Sequence, residues 1–269
     1  WKHQSTKENV GKIKEFGYRI IGPEIGDMAC GEYGEGKMTE PTNIVSFLEN
    51  YFNIIEKNNK FRALVTAGPT YEYIDPVRYI SNRSSGKQGY EIANSLVKNG
   101  FETTLISGPT NLNPPFGINL VKVNSAEEMF NATINNLPVD VAIFSAAVGD
   151  YRAANKKKEK IKKKENMSLD LEKNVDIISH ISKHNSLRPK IVIGFAAETN
   201  NLVENSLKKL QQKKCDWIIA NDISGKNIGF GSDFNEVIIL SDDKEEKIPR
   251  IKKSLLADKI VERVISQLN

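Results

Sequence analysis

Several short segments of this chain carry the residue types that bind and activate a nucleotide. The first is Thr66-Ala67-Gly68-Pro69-Thr70. A longer loop then leads to Ser81-Asn82-Arg83-Ser84-Ser85-Gly86-Lys87, which opens an amphipathic stretch. A helix start offers free N–H groups and a partial positive charge, and small residues let a phosphate approach. Ser84 and Ser85 add hydroxyl donors. The glycines are not packed into one tight turn, so this is neither a Walker A loop nor a G-x-G-x-x-G fingerprint. Taken alone, Ser-Ser-Gly-Lys reads equally as a plain helix cap. In Ser145-Ala146-Ala147-Val148-Gly149-Asp150, the small residues leave room for a flat base. Asp150 can accept from ribose hydroxyls, or simply cap a turn. Residues 156–164 hold seven lysines and include Glu159-Lys160-Ile161-Lys162-Lys163. Such a run folds over a triphosphate or is an ordinary solvated loop. Phe195, within Gly194-Phe195-Ala196-Ala197-Glu198-Thr199-Asn200, packs on a nucleoside or in the core. A last segment is Ala220-Asn221-Asp222-Ile223.

A sheet is needed to gather these segments. Residues 62–67, 103–107, 120–123, 139–148, 191–196, 217–220 and 236–240 read as strands. The run 139–148 is apolar throughout, as in a central strand buried on both faces. Residues 86–99, 125–137, 175–183, 202–213 and 254–268 read as helices. Gly100 takes the C′ position of the first helix, and Ser125 with Glu128 forms a capping box for the second. Strands alternating with helices predict an α/β fold: a Rossmann-like, mostly parallel sheet with helices on both faces. Ligands of such sheets bind beyond the carboxyl ends of the strands, where the segments above fall. Residues 1–60 differ. A short polar helix over 9–16, a glycine-rich loop over 22–41, a helix over 44–55 and a polar linker over 56–60 are expected. The division is an appendage, 1–60, and a nucleotide-binding domain, 61–269.

Composition narrows the classes. With 39% apolar and 27% charged residues, a chain of 269 can build a globular core. No run of about 18 apolar residues is present, so no transmembrane helix is expected. The start, Trp1-Lys2-His3-Gln4, lacks the apolar region of a signal peptide, and without Met it reads as a fragment. Cys30 and Cys215 are too few for a disulfide framework and read as free thiols in a reducing cytoplasm. The net charge of +4 is modest, and the lysine run has no interleaved aromatics, so no nucleic-acid partner is expected. A dinucleotide-dependent oxidoreductase of Rossmann type is the alternative. No G-x-G-x-x-G and no Tyr-x-x-x-Lys pair is placed for hydride chemistry.

In order along the chain stand Ala-Gly-Pro-Thr, Asp-Pro-Val-Arg-Tyr-Ile-Ser-Asn-x-Ser-Ser-Gly-Lys, Ala-Ala-Val-x-Asp-Tyr-Arg, Glu-Lys-Ile-Lys-Lys, Gly-Phe-Ala-Ala-Glu-Thr and Ala-Asn-Asp. From about Phe61 onward this series closely resembles the phosphopantothenoylcysteine synthetases. Ahead of it, Ile20-Ile21-Gly22-Pro23, Gly26-Asp27-Met28-Ala29-Cys30-Gly31 and Gly34-Glu35-Gly36-Lys37-Met38 resemble the C-terminal tail of the phosphopantothenoylcysteine decarboxylases. The two enzymes are commonly fused in bacteria, so the chain resembles such a fusion with most of the decarboxylase missing.

The resemblance implies a ligase that joins 4′-phosphopantothenate to L-cysteine through an acyl-cytidylate formed from CTP, with Mg²⁺ on the triphosphate and no assignable protein ligand for the metal. It matches Asn82 to the contact with the acyl-nucleotide and Lys160 to the lysine on the triphosphate. It places Asp150 at the ribose, Ala146 and Ala147 at the base, and Phe195 beside the nucleoside. Gly68 and Ser84, Ser85 and Gly86 fall on the phosphate side. It also implies a cytoplasmic homodimer. Cys30 matches the acid of the decarboxylases, but the FMN-binding strands are absent, so no decarboxylation is expected of this fragment. Three departures stand out: lysines where relatives often have Pro before Glu159, Val175 in place of a common Pro, and Lys37 in place of the usual Arg. The first two leave the motif residues intact and alter loop stiffness, and the third loses a bidentate fork.

Overall fold

Alternation along the central strands builds two cores, one on each face of a sheet. In β3 (Arg62–Ala67), Ala63, Val65 and Ala67 enter one apolar cluster while Leu64 enters the other. The strands β8 (Val141–Phe144) and β11 (Ile191–Glu198) divide in the same way, since successive side chains leave a strand on opposite sides. Helices α3 (Lys87–Lys98) and α7 (Lys253–Leu268) close the first cluster. Helices α4 (Ala126–Asn135), α5 (Ile177–Ser182) and α6 (Leu202–Lys213) close the second.

The computed structural model describes residues 1–28, 31–56, 61–163, 166–198, 200–222 and 231–269. It divides into two units, Trp1–Glu56 and Lys57–Asn269. The remaining strands of the second unit are β4 (Glu72–Tyr73), β5 (Tyr79–Ile80), β6 (Glu102–Ser107), β7 (Asn119–Lys122), β9 (Tyr151–Ala153), β10 (Leu171–Lys173), β12 (Trp217–Asp222), β13 (Phe234–Leu240) and β14 (Glu245–Lys252). The main sheet runs β14-β13-β12-β11-β8-β3-β6-β7. From β12 through β7 it is parallel; β13 and β14 are antiparallel. The chain moves outward from β3 through β6 to β7 and returns at β8 on the other side. The switch point therefore lies between β3 and β8, where such sheets open a crevice for ligands.

The α/β fold with a mostly parallel sheet agrees with the sequence expectation. The details differ in instructive ways. Strand β8 ends at Phe144, so the apolar run 139–148 is not one strand. Ser145 turns back, its Oγ donating to the Thr66 carbonyl at 2.7 Å, and the Ala147 N–H donates to the Gly68 carbonyl at 2.9 Å. The short hairpins β4–β5 and β9–β10 carry no strand-length apolar run. Strand β14 is a polar edge strand containing Pro249, a composition that discourages further pairing.

In the first unit, α1 (Gln4–Glu15) begins earlier than expected because the His3 ring accepts from the Ser5 N–H. The glycine-rich segment 22–41 holds an antiparallel ribbon, β1 (Glu24–Asp27) and β2 (Tyr33–Lys37), rather than only a loop. Helix α2 (Pro41–Glu56) follows. Among the described residues of this unit, Thr39 is the one that is buried. Cys30 and linker residues 57–60 lie outside the described residues.

Candidate functional site

A cleft of about 1010 Å³ crosses the carboxyl ends of β3, β8 and β11. Its floor follows from β3 and β8. Thr66 Oγ1 accepts from the Ala146 N–H at 3.4 Å, and Thr70 Oγ1 from the Gly149 N–H at 2.9 Å. These bonds hold residues 145–149 flat against the loop that follows β3. Gly149 keeps this loop close to β4, since a Cβ there would lie 3.1 Å from Glu72 Cγ, a tight contact.

One wall is the start of α3. Its N-cap is Gly86, in a left-handed conformation at φ 76°, and no side chain caps the helix. Ser84 Oγ instead accepts from the Gly86 N–H at 3.2 Å, shaping the turn. Ser85 Oγ accepts from the Lys87 N–H at 3.5 Å, so both serines bond within the turn and the first helical residue. Gly89 brings this turn close to the sheet. A Cβ on it would sit 2.6 Å from Ala67 Cβ. Asn82 spans the gap to the other loop, its Nδ2 donating to the Val148 carbonyl at 2.9 Å.

The opposite wall comes from α5 and α6. Asp176 caps α5 by accepting from the Ser179 N–H, and its carboxylate lies 3.4 Å from Lys213 Nζ. Lys209 Nζ pairs with Glu198 at 2.6 Å. Gly194 lets β11 reach the cleft, because a Cβ there would meet Ile178 Cδ1 at 2.5 Å and Ile218 Cδ1 at 2.9 Å. Phe195 lines the cleft and also packs against the first core cluster.

The structure brings Asn82, Ser84, Ser85, Gly86, Ala146, Ala147, Asp150 and Phe195 to one cleft. Gly68 and Lys160 are not among its lining residues. Gly68, at φ 78°, packs beneath the Gly86 turn instead: a Cβ on Gly86 would lie 3.4 Å from the Gly68 nitrogen. Lys160 is exposed on a strap held to the β4–β5 hairpin. The Lys157 N–H donates to the Ile74 carbonyl at 2.9 Å and the Ile161 N–H to Asp75 at 3.1 Å. Lys156 lies over the Tyr73 ring. Cys215 is buried, and burial pushes its thiol up to about 12, so it is unreactive.

Asp75 anchors that strap. Burial opposes its ionisation, but the N–H groups of Val77, Ile161 and Arg78, with the Arg78 charge, hold it below the usual carboxylate range. A depressed folded value stabilises the fold above the unfolded value, near 4, and the contribution is lost as pH falls through the folded value. Thermal unfolding of wild type should therefore show an acid-linked loss of stability below about pH 4. Asp75→Asn should show less of it, and identical pH profiles would contradict the assignment.

Lys87, the end of the Ser-Ser-Gly-Lys segment, also lines the cleft, as do Lys209, Lys213, Asn235 and Lys253, which the sequence reading passed over. On α6 the two lysines look like an ordinary solvated face. Lys253 carried a signal: it starts a helix, where a cation opposes the helix dipole. Burial, then the Lys87 charge, pull its ammonium below the usual lysine range, and Asp233 opposes them.

Residues 59–268 match the model of the DNA/pantothenate metabolism flavoprotein C-terminal domain. The chain belongs to that family. Residues 1–53 match the flavoprotein family model. The "Coenzyme A biosynthesis bifunctional protein CoaBC" of Vibrio vulnificus (strain CMCP6) is 38% identical over 268 residues, covering 98% of this chain and 66% of that protein. The protein of the same name from Haemophilus influenzae is 40% identical over 268 residues, with the same coverage. The chain thus spans about two thirds of the length of these curated relatives. Among solved structures, the C-terminal domain of a CoaBC protein is 36% identical with a TM-score of 0.65, covering 79% of this chain and 97% of that one. The DNA/pantothenate metabolism flavoprotein from Streptococcus pneumoniae is 26% identical with a TM-score of 0.66, covering 77% of this chain and 99% of that one.

Proposed function

We propose that the α/β unit is a phosphopantothenate–cysteine ligase that uses CTP. The observation that carries this reading is the cleft at the switch point. It joins Asn82 and the uncapped start of α3 to Ala146, Ala147, Asp150 and Phe195, in a chain of this family. The names of the relatives, coenzyme A biosynthesis bifunctional proteins, support it.

In this reading the phosphates lie at Ser84, Ser85 and Gly86, where N–H groups and hydroxyls converge. The base rests on Ala146 and Ala147 beside Phe195, and Asp150 takes the ribose. The carboxylate of 4′-phosphopantothenate attacks the α-phosphorus of CTP, and the bond to pyrophosphate breaks. The cysteine amine then attacks the acyl carbon, the bond to CMP breaks, and the amine proton passes to solvent. Asn82 donates to the oxygen on which charge develops. Lys160, on its strap beside the β4–β5 hairpin, reaches the triphosphate when the strap swings toward the cleft.

Among the described residues no group of three His, Cys, Asp or Glu gathers to hold a metal. In this reading Mg²⁺ comes with the triphosphate, where it would neutralise phosphate charge. The Trp1–Glu56 unit reads as the tail of a flavoprotein decarboxylase. Cys215 carries a free thiol, in keeping with a cytoplasmic protein. No described helix is long and apolar enough to cross a membrane.

A homodimer completes the proposal. Val77 and Tyr79 at the β4–β5 hairpin, with Tyr151, Leu171 and Val175 at β9–β10, are exposed apolar side chains on neighbouring elements. A self-complementary pairing would cover them. Sedimentation should give twice the monomer mass, and monomer alone at high concentration would contradict the pairing. The reaction itself is tested by pyrophosphate release from CTP with 4′-phosphopantothenate and Mg²⁺. Release that depends on the acid substrate is expected, and ATP in place of CTP should be far poorer. No release with either nucleotide would sink the ligase reading.

A further inference from the structure

Three residues that line the cleft have no role in the proposed reaction. Asn221 lies on β12, Asn235 on β13, and Lys253 where β14 passes into α7. Asn221 pairs with Val237 across β12 and β13, and Asn235 lies two residues from Val237. Alternation puts Asn221, Val237 and Asn235 on one face of the sheet, the face that carries the first core cluster. All three polar residues line the cleft.

A hydrogen-bonded chain fixes how Asn235 is turned. The Lys253 carbonyl can only accept, and it accepts from Gln88 Nε2 at 3.3 Å. Gln88 therefore presents its Oε1 to Asn235, which donates to it through Nδ2, also at 3.3 Å. Asn235 Oδ1 is left for the cleft. Asn235 is 3% exposed, and this oxygen has no hydrogen-bond partner. Asn221 Oδ1 is likewise buried without a partner. Buried acceptors without donors are uncommon, and a ligand N–H would satisfy them. Lys253, only 7% exposed and at the start of α7, lines the same cleft.

Two acceptors and a cation in one cleft do not suit a phosphate, whose ionised oxygens bring no hydrogen to donate. They suit a small ligand that carries N–H donors and an anionic group on neighbouring atoms, which describes an α-amino-acid zwitterion. We propose that Asn221, Asn235 and Lys253 form the subsite for the amino-acid substrate. The two amide oxygens take its ammonium, and Lys253 takes its carboxylate. The inference rests on the ligase reading and deepens it by placing the cysteine. Gln88 ties the subsite to the first turn of α3, next to the Gly86 turn where the phosphates are read. An amine held there adjoins the acyl group on the α-phosphate.

The test separates the two half-reactions. Pyrophosphate release from CTP and 4′-phosphopantothenate is measured without cysteine, and full turnover is measured against cysteine concentration. Asn235→Ala and Lys253→Met should raise KM for cysteine by about tenfold to a hundredfold, as loss of a hydrogen bond to a charged group does. The cysteine-free pyrophosphate burst and KM for CTP should stay within about twofold of wild type. Cysteamine, which lacks the carboxylate, should be a far poorer acceptor than cysteine for wild type, and Lys253→Met should erase that preference. Should Lys253→Met fail to fold, Lys253→Arg should retain the preference in part while Asn235→Ala still moves KM for cysteine. An unchanged KM for cysteine, a raised KM for CTP, or equal use of cysteamine by wild type would each overturn the subsite. If wild type gives no pyrophosphate burst, the ligase reading itself fails, and the two failures are distinguishable.

Discussion

Asn82→Ala should lower kcat by about a hundredfold to a thousandfold, the range seen when a donor to developing negative charge is removed. KM for CTP should change little, because Asn82 is not where the base or ribose is read. The reason lies in its position. Its Nδ2 bonds to the Val148 carbonyl at 2.9 Å, so the amide stands between the Gly86 turn and the loop after β8. Both loops feed the same cleft. In the proposed function, an acyl-nucleotide bound between them would replace the carbonyl as the acceptor. The cysteine-free burst of pyrophosphate distinguishes the steps: a slowed burst places Asn82 at formation of the acyl-cytidylate, and a normal burst with slow turnover places it at amide formation. Full activity in both would remove Asn82 from the mechanism.

The second large effect is expected from Gly89→Val. A Cβ at this position would lie 2.6 Å from Ala67 Cβ, 3.3 Å from Ala67 Cα and 2.5 Å from Ser145 Oγ. Two of these contacts are to the end of a central strand, which cannot yield as a flexible side chain can. Helix α3 must therefore move off the sheet. Overpacking of this kind costs about 1–3 kcal/mol of stability. The functional loss should be larger than that suggests, because the start of α3 would shift relative to the loop after β8. A displacement of about 1 Å between a substrate and its catalytic group costs on the order of a hundredfold in rate. Thermal unfolding and kcat/KM for CTP should both fall. Gly11→Ala is the control, since nothing lies within 4 Å of a Cβ there. If Gly89→Val keeps wild-type kcat/KM for CTP, the close approach of α3 is not what forms the phosphate wall.

The strands at the centre of the sheet were legible because burial on both faces leaves only apolar residues, as in Leu64, Val65, Ile143 and Ile193. The reading failed where polar bonds, rather than apolar burial, end or begin an element. Residues 145–148 are apolar or small and look like more strand, yet Thr66, Gly68 and Thr70 draw them into a turn. The hairpins β4–β5 and β9–β10 are too short for a periodic signal and are held by partners distant in sequence, such as Ile161 on Asp75. The cleft was half legible. Asn82, the Ser84–Gly86 turn, Ala146, Ala147, Asp150 and Phe195 follow strand ends, so strand assignment located them. Asn235 and Lys253 lie at the beginnings of antiparallel and helical elements, where no rule of parallel sheets points.

The sequence by itself determined the α/β class, the order of the principal strands and helices, and the family motifs, because each is written in local periodicity or in contiguous residues. It could not decide that Gly68 supports the Gly86 turn rather than lining the cleft, or that Lys160 rests on a strap beside β4–β5. Nor could it show that Gln88 turns the Asn235 oxygen toward the cleft. Those outcomes depend on which backbone carbonyl or methyl group stands opposite across the fold, and only the packed tertiary structure sets such distances.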